Sequence, residues 1–266
     1  MKANEDLIIK QKKFYETKKK NLPTKLWFFV RNGLLNKVRK NIGVQNDIYA
    51  LHKKWCGDLS GKKVLDLGCF EGNALSIYLA QSAKEYIAID LSESAILKLN
   101  IRLENIPQAR AIAVDFLSSQ FVENDFDLIY AYGVLHHFKD TDGLVTRLKE
   151  KLKPEGMVIS YDPLQTSIPI KILRNLYRPF QSDRAWEWPF TKKVYFHYKR
   201  SFNIVEKRAV LGKSKWLFLL NLLPLSTKRK EKIGKNWHYQ DWQKSQISDK
   251  YMFKCMHLTM LLANRV

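Results

Sequence analysis

Apolar positions in the middle of the chain come in short unbroken runs, each closed by a polar residue and followed by a helix-like pattern. Val64-Leu65-Asp66-Leu67 is the first run. It breaks into Gly68-Cys69-Phe70-Glu71-Gly72, and apolar positions then resume at helical spacing through Leu75, Ile77, Tyr78 and Leu79. A strand covered on both faces is nearly continuous in apolar residues, and glycine lets the backbone turn sharply after it. The order repeats: Tyr86 to Asp90 is a second run ending in an acid, with Ser92 and Ala95 opening a helix. Residues 111–115 end in Asp115, residues 126–132 lead into His136-His137-Phe138, and residues 148–162 pass through Pro154 and Gly156 to Asp162. Strand-helix alternation with short connections predicts right-handed crossovers and a doubly wound parallel sheet. Ligands of such sheets bind outside the carboxyl ends of the strands, where Asp66, Asp90, Asp115 and the region of Ala131 fall.

The flanks read differently. Residues 4–20 place Leu7, Ile8, Phe14 and Tyr15 at helix-like spacing, and Trp27, Phe28, Phe29, Val30, Leu34, Leu35 and Val38 form an apolar stripe among lysines and arginines. That stripe suits a helix at a membrane interface or one packed on the sheet with lysine stems outside. Residues 47–55 predict a short helix. Beyond Asp162, Pro163, Pro169, Pro179 and Pro189 predict a loop and short helices over the crevice. A helix over residues 191–200, a sixth strand over 202–211 and a final strand over 252–262 follow. Between these strands lie an apolar run at 216–225, the basic cluster Lys228-Arg229-Lys230-Glu231-Lys232, and Trp237, His238, Tyr239 and Trp242. This order suits monotopic membrane contact, or a buried helix beneath the insert.

Charge sharpens the contrast. The net charge is +20, yet residues 64–163 carry 9 Lys and Arg against 15 Asp and Glu, while residues 1–63 carry 16 against 5 and residues 164–266 carry 21 against 6. Basic arms around an acidic core point to an anionic partner, either a membrane surface or a nucleic acid, or else to lysines that only aid solubility. Three cysteines show no metal-ligand spacing and suit a reducing compartment. The start lacks the apolar core of a signal peptide, and the longest apolar run is about half a bilayer span. No Lys-Ser/Thr follows the glycines to make a P-loop motif, which argues against a phosphate-bearing nucleotide.

Asp66-Leu-Gly68-Cys-Phe70-Glu-Gly72 resembles motif I of the class I S-adenosylmethionine-dependent methyltransferases, and residues 126–138 and 148–162 resemble the later motifs in order and spacing over roughly residues 60–165. The resemblance implies an α/β, doubly wound Rossmann-like sheet of seven strands, six parallel and the last antiparallel, with an N-terminal helical cap (1–56), a cofactor-binding core (57–211), a basic and apolar insert (212–250) and a final strand (251–266). It implies that Asp66, Gly68, Phe70 and Gly72 meet the methionine part of S-adenosyl-L-methionine. Asp66 would order the turn and contact the amino end directly or through water. Asp90 would bind both ribose hydroxyls, Asp115 and Phe116 the adenine, Leu91 would flank it, and Ala131 would lie at the fourth strand's end. Phe70 stands where the family more often has glycine. His136 and His137 fall near the methyl acceptor, where a histidine can take a hydroxyl proton, though adjacent residues on a helix point about 100° apart, so at most one faces the crevice. Tyr15 and Tyr49 are candidates for the acceptor wall. No metal is demanded.

The function expected is O-methylation of a small or amphiphilic acceptor, lipid-linked or sugar-containing, by a cytoplasmic protein in peripheral contact with the inner membrane surface. RNA methylation ranks below it, since the chain lacks an Asn/Asp-Pro-Pro-Tyr/Phe signature and a separate RNA-binding module. A cofactor-binding scaffold without catalysis is the third reading.

Overall fold

In the computed structural model, residues 22, 25, 40–180 and 186–265 are described, with backbone alone for Leu173, Tyr177 and Arg178. The helices expected over residues 4–20 and around Trp27, and Tyr15 with them, lie outside the described residues.

Helix α1 (Val44–Cys56) precedes β1 (Lys63–Leu67), α2 (Ala74–Ser82), β2 (Glu85–Asp90), α3 (Glu93–Leu103), β3 (Ala109–Ala113) and β4 (Phe126–Tyr132). A 3-10 turn (Leu135–His137), α4 (Thr141–Lys151), β5 (Leu152–Pro163), α5 (Ile168–Tyr177), α6 (Lys192–Ser201) and β6 (Asn203–Val210) follow. A 3-10 helix (Ser214–Leu222), α7 (Thr227–Ile247), α8 (Asp249–Met252) and β7 (His257–Ala263) complete the chain. The sheet order is β3-β2-β1-β4-β5-β7-β6, with β7 antiparallel to both neighbours and the other six strands parallel.

Strand alternation decides which side chains meet which helices. Leu65, Leu67, Ile87, Ile89 and Ile129 face one layer, with Leu144 and Leu148 of α4 and Tyr195 and Tyr198 of α6. Val64, Tyr86, Ala88, Leu128 and Tyr130 face the other, against Leu51 and Trp55 of α1, Leu75 and Leu79 of α2 and Leu99 and Leu103 of α3. Several helix starts are fixed by a short polar side chain, whereas α1 starts at Gly43 with no side-chain cap. Asn73 and Ser76 form a reciprocal capping box on α2, while Ser92, Asp140 and Thr191 cap α3, α4 and α6. His52 stitches α1 to the sheet, with Nε2 2.7 Å from Thr259 Oγ1 and Nδ1 3.2 Å from the Tyr130 hydroxyl. Burial pushes its pKa down to about 3, so it is held neutral.

Two expectations need correction. The last strand begins at His257, not at residue 252, because Ser248 caps the short helix α8 and the Asp249 carboxylate is engaged by Tyr195, Lys199 and Lys207. The apolar run at 216–225 is neither wholly a surface patch nor wholly buried: Leu217 and Leu220 are buried, while Leu219, Leu222 and Leu223 are exposed. Its start is locked by buried Asp241 of α7, whose carboxylate accepts from the backbone N–H groups of Gly212, Lys213 and Ser214. Among the described residues no helix is long and apolar enough to cross a membrane.

Candidate active site

The bend after β1 is shaped by three positive backbone φ angles: +69° at Gly68, +50° at Phe70 and +79° at Gly72. Gly68 is required twice over. Its φ suits glycine, and a Cβ there would come within 2.3 Å of Val134 Cγ2. The N–H groups of Gly68 and Cys69 both donate to the Ile89 carbonyl, at 2.8 and 3.1 Å, which ties the bend to β2. Asp90, at the end of β2, accepts from Phe70 N–H through Oδ2 at 3.0 Å and from Ser92 N–H through Oδ1 at 2.9 Å. Burial raises its pKa against those hydrogen bonds.

Over the ends of β1, β2, β3 and β4 lies a crevice of about 300 Å³, and Gly68, Phe70, Asp90, Leu91, Asp115, Phe116 and His137 all line it. Five other expected residues do not. Asp66 lies beneath the bend, 1% exposed, and accepts from the Tyr86 hydroxyl at 2.7 Å, so direct contact with a ligand is replaced by support from below. Burial pushes its pKa up to about 6. Gly72 backs onto α3, where a Cβ would meet Leu99 Cδ1 at 2.8 Å. Ala131 points into the core, because alternation along β4 turns Tyr132 toward the crevice instead. His136 is buried with Nδ1 2.9 Å from Asp162 Oδ1, away from the opening. Tyr49 does not line the crevice, although its ring is 5.6 Å from that of Tyr132, which does.

Tyr132, in the Ala131-Tyr132 region expected at the end of the fourth strand, and Gly133, Val134, Phe138 and Asp140, not singled out in the sequence, complete the wall. Two of these carried a signal. Gly133, with φ +74°, directly follows a strand, and Asp140 has the spacing of a helix cap, accepting from Gly143 N–H at 2.9 Å.

The chemistry of this donor set is specific. Three carboxylates, Asp90, Asp115 and Asp140, line the crevice against one ammonium, Lys139. Such a surface repels phosphate, accepts hydrogen bonds from hydroxyl and amino groups, and attracts a cation. Leu91, Phe116 and Val134 give it apolar walls for a flat ring. On the opposite wall His137 Nδ1 lies 2.8 Å from the Trp186 carbonyl, which can only accept. Nδ1 is therefore the protonated nitrogen in the neutral ring, and Nε2 carries the lone pair. The His136 ring lies 4.0 Å from that of His137 and is held by Asp162, whose carboxyl is pushed up to about 7 by burial.

A doubly wound sheet with its last strand reversed and an acidic, flat-walled crevice over the first four strand ends match the architecture of the class I S-adenosylmethionine-dependent methyltransferases. Residues 65–158, the stretch from β1 into β5, match the family model described as a methyltransferase domain, and the chain carries that domain. An uncharacterized methyltransferase of Synechocystis sp. is 28% identical over 181 residues, covering 65% of this chain and 82% of that protein. The ubiquinone biosynthesis O-methyltransferase of Acinetobacter baumannii is 31% identical over 106 residues, covering 38% of this chain and 44% of that protein, so the chain spans under half of that relative. Among solved structures, the N-methyltransferase NodS from Bradyrhizobium japonicum in complex with S-adenosyl-L-homocysteine superimposes with a TM-score of 0.54 at 16% identity, covering 84% of this chain and 87% of that one. At that identity the likeness establishes the fold.

Proposed function

We propose that the chain methylates a hydroxyl of a small, amphiphilic acceptor, lipid-linked or sugar-containing, at the inner membrane surface. In this reading Asp90 accepts from the ribose hydroxyls, Asp115 from the adenine amino group, and Leu91 and Phe116 sandwich the base. Gly68 and Phe70 border the methionine part, with Asp66 and Gly72 holding the bend from outside the crevice. When bound there, S-adenosylmethionine supplies an electrophilic methyl group on a sulfonium.

The chain's own contribution is orientation, water exclusion and proton removal. Methyl transfer is an in-line displacement, so holding the acceptor oxygen at near-attack distance contributes most of the acceleration. His137 takes the hydroxyl proton on Nε2 as the oxygen becomes bonded to carbon. His136, fixed by Asp162, packs against His137 with the rings tilted by 38° and limits its ring rotation. The observation that carries this reading is the meeting of Asp90, Asp115 and His137 in one crevice.

The test incubates the full chain with methyl-labelled S-adenosylmethionine and, in parallel, a membrane lipid extract, total RNA and soluble metabolites. Label in the lipid extract, released by conditions that cleave a methyl ester but not a methyl ether only if the acceptor is a carboxylate, supports a hydroxyl acceptor when it is retained. Label confined to RNA contradicts the proposal.

A further inference from the structure

Helix α5 carries an apolar stripe on its outer side. Ile168, Ile172 and Leu176, spaced at i, i+4 and i+8, are 72, 57 and 70% exposed, and Phe180 just beyond is 58% exposed. Residues at this spacing share one helix face. Ile170, about 160° away from the middle of that stripe, packs inward with Leu217 and Leu220 of the 3-10 helix. The start of α5 is pinned to the same element, with Lys215 Nζ donating to Ser167 Oγ at 3.3 Å. The neighbouring element repeats the pattern, since Leu222 is 81% and Leu223 49% exposed.

Charge decides what this surface meets. Neither residues 164–180 nor residues 212–230 contain an Asp or Glu, whereas Lys171, Arg174, Lys213, Lys228, Arg229 and Lys230 are exposed or half-buried there. Exposed apolar side chains flanked only by cations match a bilayer rich in anionic headgroups, where burial of the apolar groups and attraction of the cations reinforce one another. Position adds a functional consequence. The chain on either side of α5 is tied to the crevice wall: Gln165 N–H donates to the Phe190 carbonyl, Trp188 N–H to that of His136, and His137 Nδ1–H to that of Trp186.

We propose that the outer face of α5, with the exposed end of the adjoining 3-10 helix, seats on an anionic phospholipid surface beside the His137 side of the crevice. This deepens the amphiphilic-acceptor reading and rests on it: the acceptor enters from the lipid interface and not from bulk water.

The test uses the full chain and vesicles of phosphatidylcholine with or without phosphatidylglycerol. All three native cysteines are buried, so Ile172→Cys takes an environment-sensitive fluorophore selectively, with Glu104→Cys on α3's exposed end as the reference site. The label at 172 shifts to the blue on anionic vesicles and the label at 104 does not. The triple variant Ile168→Glu, Ile172→Glu, Leu176→Glu, with its circular dichroism retained, loses roughly tenfold or more in vesicle partition. No shift at 172, unchanged partition of the triple variant, or a change of oligomeric state in place of partition overturns the surface. Methyl labelling of the lipid extract is read in the same samples. Label there without vesicle binding overturns the surface alone, and vesicle binding with label only in RNA or soluble metabolites overturns the acceptor reading alone.

Discussion

The carboxylate of Asp90 and the backbone of Phe70 are joined by a hydrogen bond of 3.0 Å, so the acid at the tip of β2 grips the bend that follows β1. Phe70 adopts φ +50° to receive it, a region that disfavours a residue with a Cβ. Phe70→Gly relieves about 1 kcal/mol of that backbone cost. The melting temperature of the variant is expected to stay within a few degrees of the parent, while affinity for S-adenosylhomocysteine falls severalfold through loss of the ring. Calorimetry beside a thermal melt separates the two effects.

Gly68→Ala is expected to be far more damaging than its size suggests. The added methyl meets Val134 at 2.3 Å, and the φ of +69° remains unfavourable for alanine. Strain and overpacking together cost on the order of 2–4 kcal/mol. Pairing it with Val134→Ala restores only the steric part, so the double variant melts between the single variant and the parent.

Replacing His137 by Gln keeps a polar group in the crevice wall but removes the base. The expected result is a fall in kcat of about 100- to 1,000-fold, with cofactor affinity changed by less than about threefold. Equal rates for parent and variant across pH place the proton acceptor elsewhere.

Asp162 supplies a pH-dependent stability difference. Its folded pKa, raised by burial from 3.8 to about 7, means the native state binds the proton more tightly than the unfolded chain. Its contribution is complete below about pH 4 and is lost as pH rises toward 7. Apart from a constant offset, Asp162→Asn therefore gains on the parent across that window, by on the order of a few kcal/mol. Asp66, pushed up to about 6, has the same sign and His52, held down to about 3, the opposite one, so the quantity to measure is the difference between variant and parent in urea melts from pH 4 to pH 7.

The sheet and half the site were legible because their signals are local. β1, β2 and β4 are largely apolar runs, and Gly68, Asp90 and Asp115 fall at or just beyond the ends of β1, β2 and β3. What failed was finer than element position. Whether Ala131 or Tyr132 faces the crevice depends on the phase of β4, a single-residue question that an all-apolar run does not answer. His136 and His137 are alike in sequence, and only the Asp162 and Trp186 partners, 26 and 49 residues away, divide their roles. Asp66 looks like a ligand acid until Tyr86 is seen to claim it. The outer stripe of α5 was hidden by prolines at 169 and 179, which read as a loop with short helices of no fixed bounds, although the first falls in the opening turn of the helix and the second beyond its end.

The account stands or falls on the crevice. Isothermal titration of the purified chain with S-adenosylmethionine and S-adenosylhomocysteine is expected to give one site per chain for each, with affinity at least about 100-fold weaker in Asp90→Ala, which loses both the carboxylate in the crevice and its grip on Phe70. Absence of binding by the parent, or equal binding by the variant, would contradict it.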